Sequence, residues 1–498
     1  MTTVEQPLTY SSAAGRWVIA ATVLGSGIAA IDSTVVGIAL PTIGRDFHVG
    51  VGALQWVVTG YLLTLAAFLL LGGSLSDRFG RRRLFCIGIA WFAVASAACG
   101  LAPNIGILIA MRIVQGIGAA LLAPGSLAIL QASFSPEDRG RAIGAWSGLG
   151  GVATAAGPLL GGYLISVASW RWIFFINIPV SAVSFALALR HVPESKDPTA
   201  PRHLDLPGAG LAVAGLGLLI FGLIEGPTLG WSSAAIVVPL ALAVVCLGAF
   251  VVVEDKSPAP MLPLAMFAQR QFSATNAVTL VIYAALGGAL FLLPVQLQIG
   301  SGYSPLESGV ALLPITVIML VFSARSGRLA SRIGPRLQMT VGPLVVGVGL
   351  ALMVLVTHGH NYLLWVLPAV LVLGAGLATT VAPLTATAMS SATQEHAGLA
   401  SAVNNDVARV GGLLAVAVLP VVAGITGSAY LHPAALSAGF RTAMVIAAVA
   451  CVLGGVLAGF TIRNPTSTER TDQRPGEEYL HCGLDGPPLE SLSSGDRA

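Results

Sequence analysis

The sequence predicts an all-α integral membrane protein of about fourteen transmembrane helices. Hydrophobic residues make up 55% of the 498 residues and charged residues only 9%, whereas soluble domains carry roughly 25% charged residues. Apolar runs of about 20 residues, long enough to cross a hydrocarbon core as helices, recur from Trp17 to Ile462. A β-barrel is not indicated, because runs such as 236–253 do not alternate between apolar and polar residues.

Polar breaks between the apolar runs define the predicted spans. The first run is too long to be a removable signal peptide and lacks a cleavage site of small residues. We therefore expect it to remain as the first span. The predicted spans are 17–40, 53–75, 84–101, 105–130, 143–166, 172–190, 207–224, 233–253, 273–298, 306–325, 338–357, 362–389, 398–423 and 440–462.

The positions of the 25 Lys and Arg residues predict the orientation. With the N-terminus inside, only Arg45, Arg171 and Arg441 fall on the outer side, while Arg112 and Arg409 lie within spans. Cytoplasmic loops of membrane proteins are enriched in Lys and Arg. The sequence therefore predicts a multi-pass protein of a bacterial cytoplasmic membrane, with both termini in the cytoplasm.

The polar residues give no support to a cofactor site. None of the five cysteines forms a CxxC pair, and all eight histidines lie at or beyond the ends of the predicted spans. Disulfide, zinc and haem sites are therefore not indicated. The net charge of +3 reflects loop topology and not nucleic-acid binding. We expect neither an enzyme nor a cofactor.

An internal repeat predicts two related halves. The loop containing Asp77, Arg78 and Gly80 aligns, 254 residues later, with a loop containing Ser331, Arg332 and Gly334. Parallel repeats of this kind are common in transporters. The predicted domains are a cytoplasmic N-terminus at 1–16, a six-helix bundle at 17–190, linker loops with two extra helices at 191–272, a second six-helix bundle at 273–462 and a disordered cytoplasmic tail at 463–498.

The loop after the second span is the strongest local motif and predicts a conformational latch. Its residues are Gly73, Asp77, Arg78, Gly80 and Arg81. Gly73 would permit close helix approach, Gly80 a tight turn, and Asp77 could pair with arginines or a helix terminus. The alternative is that the arginines only signal topology.

Two charged residues within spans lie at matching depth. Asp32 precedes the predicted outer end of the first span by eight residues, and Arg112 follows the outer start of the fourth by seven. Because a buried charge in a membrane costs several kcal/mol, each needs a reason. The hypothesis is that Asp32 accepts and releases a proton while Arg112 competes for the carboxylate. The alternative is a permanent structural ion pair.

Asp406 and Arg409 lie three residues apart in the thirteenth span, on one face of a helix. They could simply neutralise each other. In the functional interpretation they line a central cavity with Asn404 and Asn405 and contact a substrate or a second proton.

Aromatic and amide side chains could complete such a cavity, since adaptable apolar pockets suit varied hydrophobic ligands. Helix packing explains each of them equally well. The candidates are Tyr61, Gln115, Tyr283 and Gln296.

Six motifs in order give the sequence a family resemblance. They are Asp32-Ser-Thr-Val-Val-Gly-Ile-Ala-Leu-Pro41, Gln55-Trp56-Val-Val-Thr-Gly-Tyr61, the Gly73–Arg81 loop, Arg112-Ile-Val-Gln115-Gly116, Gly157-Pro158-Leu-Leu-Gly161-Gly162 and Trp170-Arg171-Trp172 with Asn177 and Pro179. The chain resembles the major facilitator superfamily, specifically its fourteen-span drug:proton antiporter branch. The resemblance implies alternating access driven by the proton gradient.

The resemblance also assigns roles to two of these motifs. It links the Arg112 motif to proton coupling, and the motif of Gly157, Pro158, Gly161 and Gly162 to antiport. Its glycines and proline make one helix thin and bendable, which suits a sliding contact. Static close packing is the alternative explanation.

The leading interpretation is a monomeric proton-coupled antiporter that exports hydrophobic or cationic drugs and toxic compounds. Its partners would be the lipid bilayer, protons and a small-molecule substrate. Export of a dedicated endogenous metabolite or lipid precursor would use the same motifs, and a non-transporting sensor or scaffold is the alternative of another class. An ATP-driven pump is disfavoured, because the sequence has no GxxxxGK[ST] loop.

Overall fold

The structure, a computed structural model, describes residues 8–197, 205–258, 260–391 and 397–464. Within these ranges, 14 helices are long and apolar enough to cross a membrane, which confirms the predicted all-α fold and its number of spans. We number them α1 Ala13–Phe47, α2 Val51–Phe79, α3 Arg81–Gly100, α4 Ile105–Ser133, α5 Pro136–Val167, α6 Trp172–His191, α7 Leu206–Leu229, α8 Ala234–Lys256, α9 Arg270–Gly300, α10 Pro305–Ile333, α11 Pro335–Thr357, α12 Tyr362–Ser390, α13 Leu399–Val422 and α14 Pro433–Thr461. The predicted disordered tail lies outside the described residues from position 465 onward.

Several helices are longer than the apolar runs that predicted them. Helix α1 begins after Ser12, whose side chain accepts a hydrogen bond from Gly15 N over 3.0 Å. It continues through a polar last turn to Phe47, where His48 adopts a left-handed conformation with φ 53°. Hydropathy marks only the apolar part of such a helix, and caps determine where it ends.

Because the number of spans is even, the start of α1 and the end of α14 lie at the same end of the molecule. We call this the lower end, and we call the opposite end, which carries the α1–α2 connection, the upper end. The Lys and Arg distribution predicts that the lower end is cytoplasmic.

Twelve of the fourteen helices form two bundles of six, and α7 and α8 lie between them in the sequence. In the first bundle α2 and α3 pack on α4, and α1 packs on α5 and α6. In the second bundle α11 packs on α12 and α14, and α9 packs on α13. The equivalent pairs α2–α4 and α10–α12 occupy corresponding positions of the repeat. The residue boundaries proposed for these domains remain predictions.

The two repeat loops at the lower end share a backbone conformation that favours glycine. Gly80 has φ 117° and Gly334 has φ 88°. A polar side chain from the end of each bundle accepts backbone hydrogens just after the glycine. Glu194 accepts from Arg82 N over 3.1 Å, and Asn464 accepts from Arg336 N over 3.0 Å. The loops are therefore equivalent in structure as well as in sequence.

The inserted helices α7 and α8 form a hairpin that contacts both bundles. Ile220 and Ile224 of α7 pack between Leu63 of α2 and Leu413 of α13. Near the upper end Trp56 Nε1 donates to Glu225 Oε1 over 3.0 Å. The hairpin therefore covers one edge of the boundary between the bundles.

The bundles contact each other at the upper end. Gln55 Nε2 of α2 donates to Val416 O and Ala417 O of α13, over 2.7 and 3.1 Å. Gln298 Nε2 of α9 donates to Ile38 O of α1 over 2.9 Å. Among the described residues, the hydrogen bonds between the bundles all lie in this upper region. The upper end is closed in this conformation.

Candidate transport site

Asp32 of α1 and Arg112 of α4 form a buried ion pair inside the first bundle. Arg112 Nη1 lies 2.5 Å from Asp32 Oδ2, and each residue exposes only 1% of its surface. The two residues that the sequence places at matching depth are therefore in contact. Their role in proton exchange remains a hypothesis.

Two amide side chains complete the environment of the Asp32 carboxylate. Gln115 Nε2 and Asn177 Nδ2 both donate to Asp32 Oδ1, over 3.0 and 3.1 Å. Gln115 was a predicted cavity residue, but its side chain is buried in this network. Three side chains thus donate to one carboxylate, which offsets the cost of keeping its charge away from water.

Arg112 has partners other than the carboxylate. Its Nη1 also donates to Gln115 Oε1 over 2.7 Å, and its Nε donates to Val57 O over 3.1 Å. The guanidinium lies over the ring of Tyr61, 4.2 Å from the centroid, and 5.8 Å from that of Phe174. The arginine charge is therefore stabilised on several sides.

Asn177 was not among the site residues predicted from the sequence. Its Nδ2 also donates to Ser96 Oγ over 3.0 Å, and Ser96 Oγ donates to Phe174 O over 2.9 Å. These contacts connect Asp32 to α3 and to a break in α6 after Phe175. An amide within the apolar run of α6 was the available signal, because such a group needs a buried partner.

Tyr61 and Arg409 connect this network to the second bundle. The hydroxyl of Tyr61 is buried without a hydrogen-bond partner, and the charges of Asp32, Arg112 and Arg409 all act on it. Arg409 also acts on Tyr283 of α9. The charge of Arg409 therefore acts on one tyrosine from each bundle.

Asp406 and Arg409 do not neutralise each other as an ion pair. Among the described residues, no salt bridge within 4.0 Å joins them. Asp406 Oδ1 and Arg409 Nε are buried and have no hydrogen-bond partner. The simpler alternative of an ion pair is therefore not seen, and a role of the two residues in ligand binding remains a hypothesis.

The other predicted cavity residues make contacts elsewhere. Asn404 Nδ2 donates to Asn276 Oδ1 and Thr279 Oγ1 of α9, which packs α13 against its neighbour. Asn405 is exposed and donates to Ser401 O within its own helix. Gln296 lies in the last turn of α9 and donates to Ser437 Oγ over 3.0 Å. These three amides do not join the Asp32 network.

The predicted latch connects segments of the first bundle. Asp77 Oδ1 accepts from Arg81 Nη2 over 2.8 Å, across the turn at Gly80. The loop after α6 closes over this turn, since Arg81 N donates to Ser195 O and Asp197 N donates to Asp77 O, each over 2.9 Å. Glu194 and its loop are partners that the motif alone did not reveal.

Gly73 of the latch motif does not make the contact predicted for it, and Arg78 is not part of the Asp77–Arg81 pair. A Cβ added to Gly73 would meet only Pro124 Cβ, at an ordinary 3.7 Å, whereas one on Gly72 would overlap Ala120 O. The close helix approach is therefore made one residue earlier than predicted. Arg78 is exposed and lies over the ring of Phe79, 5.1 Å from its centroid.

The glycines of the antiporter motif lie where α5 packs against α1 of its own bundle and against α10 of the other bundle. Added Cβ atoms at Gly157 and Gly161 would overlap Thr34 and Val35 of α1, and one at Gly162 would overlap Pro305 O and Leu306 of α10. The carbonyl of Pro158 would meet a Cβ on Gly309 of α10. This motif therefore permits close packing at the closed upper end.

The lower part of the same helix is different. Added Cβ atoms at Gly144, Gly148, Gly150 and Gly151 would meet no atom within 4 Å. These glycines are therefore not required by packing in this conformation.

Comparison with known proteins shows the family. The family profile described as Major Facilitator Superfamily matches residues 22–416. The chain belongs to the major facilitator superfamily. A bacterial homologue of the human lysosomal transporter Spinster, solved in an inward-facing and unoccupied conformation, superposes with a TM-score of 0.65, at 17% identity over 91% of this chain and 97% of that one. This likeness supports the fold.

Curated members of the superfamily are similar over most of the chain. The tetracenomycin C resistance and export protein of Streptomyces glaucescens is 38% identical over 402 residues, covering 81% of this chain and 74% of that protein. The methylenomycin A resistance protein of Bacillus subtilis is 35% identical over 442 residues, covering 88% of this chain and 93% of that protein. Membership and these relatives identify the chain as a membrane transporter of the drug efflux type and not an enzyme.

Proposed function

We propose that the protein is a proton-coupled antiporter that exports hydrophobic or cationic toxic compounds by alternating access. It uses no cofactor, works as a monomer and keeps both termini in the cytoplasm. The observation that carries the proposal is the Asp32 network, which places one carboxylate and one arginine in the dry interior of the first bundle. The names of its relatives, which are resistance and export proteins, support the substrate class.

Protonation of Asp32 is the coupling step. A proton on the carboxyl removes the attraction to Arg112, while Gln115, Val57 O and the Tyr61 ring still stabilise the guanidinium. Breaking a buried ion pair outright costs about 3–5 kcal/mol. These remaining partners lower that cost, so the pair can open and close during a transport cycle.

Tyr61 relays this change to the substrate. Its ring covers Arg112, and its unpartnered hydroxyl lies within the field of Arg409. When Arg112 moves away from a protonated Asp32, the ring moves with it. Asp406, with its unpartnered Oδ1, supplies a negative charge for a cationic substrate on the opposite wall.

The conformation described here is the one that loads substrate. The upper end is closed by contacts between α2 and α13 and between α5 and α10. If the lower end is cytoplasmic, as the Lys and Arg distribution predicts, the conformation is inward-facing. Substrate then enters between the bundles from the cytoplasm or the inner leaflet.

Transport in proteoliposomes tests the proposal. A pH gradient should drive uptake of a cationic dye by the parent, and a proton uncoupler should abolish it. Asp32→Asn should lose gradient-driven uptake while still exchanging dye across a membrane without a gradient. Asp46→Asn is the matched control, because Asp46 is an acid on the same helix that pairs with Arg171 over 3.1 Å at the upper end. Uphill uptake by Asp32→Asn would contradict the coupling role.

A dedicated endogenous substrate is distinguished by a panel of compounds. A drug exporter moves several unrelated hydrophobic cations, whereas an exporter of one metabolite moves none of them. A chain that moves neither the panel compounds nor any metabolite or lipid precursor extracted from the producing cells would instead be a sensor or scaffold.

A further inference from the structure

Two buried carboxyl groups lie at the lower end of the inserted hairpin, away from the Asp32 network. Asp205 precedes α7 and exposes 7% of its surface, and Glu254 lies in the last turn of α8 and exposes 2%. One oxygen of each carboxyl group accepts a hydrogen bond from a backbone N–H. Asp205 Oδ1 accepts from Gly208 N over 2.8 Å, and Glu254 Oε2 accepts from Leu262 N over 3.0 Å.

The second oxygen of each carboxyl faces the other carboxyl. Asp205 Oδ2 and Glu254 Oε1 are buried and have no hydrogen-bond donor. They approach each other above Gly208, where an added Cβ would lie 2.7 Å from Asp205 Oδ2 and 2.8 Å from Glu254 Oε1. Glycine at this position therefore leaves room for both oxygens. Both unpartnered atoms therefore lie beside the same point, and Asp205 interacts with Glu254.

The surrounding charges do not neutralise two carboxylates. Among the described residues, the charged group that acts on Glu254 is Asp205, which is itself an acid. On α8, Asp255 and Lys256 are exposed, and the connection from 260 to 269 carries no charged side chain. That connection packs on the apolar side chains Leu399 and Val403 of α13. Arg202 and His203 precede Asp205 in the sequence and lie outside the described residues.

Two carboxyl groups in contact and out of water cannot both be ionised at modest cost. A single proton resolves the conflict, because the protonated carboxyl donates to the other oxygen and one negative charge is then spread over both groups. The two oxygens without donors become one hydrogen bond.

We propose that Asp205 and Glu254 form a proton-binding site that shares one proton at neutral pH. The shared proton fastens the start of α7 to the end of α8, and through Leu262 N to the connection that enters the second bundle. Leu262, Met266 and Phe267 anchor that connection on α9 and α13. With the proton bound, the lower end of the hairpin moves with the second bundle.

Loss of the proton releases the hairpin at this end. Two adjacent carboxylates repel each other, so Glu254 turns away and Leu262 N loses its acceptor. The upper end keeps its contact with the first bundle through Trp56 and Glu225. The site therefore makes the attachment of the hairpin to the second bundle depend on the pH at the lower surface.

Infrared spectroscopy of the purified full-length protein tests the site directly. At neutral pH the parent should show the carbonyl stretch of a protonated carboxyl that is missing from Asp205→Asn and from Glu254→Gln. Either amide donates to the remaining carboxylate, which then needs no proton. Asp255→Asn, which alters the exposed neighbouring acid, should leave this band in place.

The expected titration has a definite sign. The shared proton is bound in the folded protein, so its stabilising effect is present at neutral pH and is lost as the pH rises. The melting temperature of the parent and of Asp255→Asn should fall from neutral to alkaline pH by more than that of Glu254→Gln. These readouts do not involve transport, so they can fail or succeed independently of the proposed antiport.

Two results would overturn the proposal. One is a parent spectrum that shows no protonated carboxyl band beyond those of the two amide variants. Both carboxylates would then be ionised and held by a cationic side chain. The other is loss of the band on adding Ca²⁺ or Mg²⁺ with its return on adding a chelator, since the pair would then be a cation site.

Discussion

Gln55→Leu should open the upper end of the molecule. In α13, Pro420 lies four residues after Val416 and has no N–H to donate to the Val416 carbonyl. Gln55 of the other bundle supplies the missing donor over 2.7 Å. Leucine has a similar volume and no donor, so in the closed conformation the carbonyl is left buried and unsatisfied. In an upper-open conformation water can reach it.

The size of this effect follows from the cost of the unsatisfied carbonyl. Burying a polar group without a partner costs about 1–3 kcal/mol. A bias of that size changes the ratio of the two conformations by about 5–150-fold. Gln298→Leu should have a smaller effect, because Gln298 donates to Ile38 O, and the helix offers that carbonyl the N–H of Thr42.

Distances between spin labels measure this shift. Labels at Leu101 and Leu363, both exposed at the upper ends of different bundles, should move apart in a larger fraction of Gln55→Leu molecules. Gln271→Leu is the matched control, because Gln271 bonds to Arg463 O within the second bundle. An unchanged distance distribution in Gln55→Leu would refute the assignment of this hydrogen bond to upper-end closure.

Three further substitutions test other contacts. Gly162→Ala places a Cβ against α10 and should increase the fraction of upper-open molecules and slow transport. In the control Gly148→Ala the added Cβ meets no atom within 4 Å, so neither quantity should change. Equal effects of the two substitutions would contradict the packing argument. Glu194→Ala removes the acceptor of two backbone N–H groups at the start of α3 and should lower the free energy of unfolding by about 0.5–2 kcal/mol, seen as a lower melting temperature in detergent. Asp406→Asn should weaken binding of a cationic dye more than binding of an uncharged substrate. Asn405→Ala, at an exposed position, should weaken binding of neither ligand. An equal loss of affinity for both ligands in Asp406→Asn would show that Asp406 does not recognise the positive charge.

The fold could be predicted from the sequence because the bilayer acts on composition directly. Each apolar run of about 20 residues has to become a helix, since lipid offers no partner for backbone N–H and C=O groups. Helix ends depend on caps and polar turns outside the lipid, which hydropathy does not report. This is why α1 runs to Phe47.

The site was predictable where a charge stood alone in an apolar run. Asp32 and Arg112 had to find a partner, and matching depth suggested each other. Asn177, Gln55 and Glu194 are neutral amides or lie in loops, so their partners depend on tertiary geometry that spacing does not give. Spacing also left open whether Asp406 and Arg409 pair, because two residues on one helix face can point their charged groups in different directions.

Proton release on substrate binding tests the coupling carboxylate most directly. When a cationic substrate is added to the purified protein in weakly buffered solution, a pH indicator should report protons released by the parent and by the Asp46→Asn control. Asp32→Asn should bind the substrate and release none. Equal release from Asp32→Asn and the parent would contradict the account, because the coupled proton would then reside on another group.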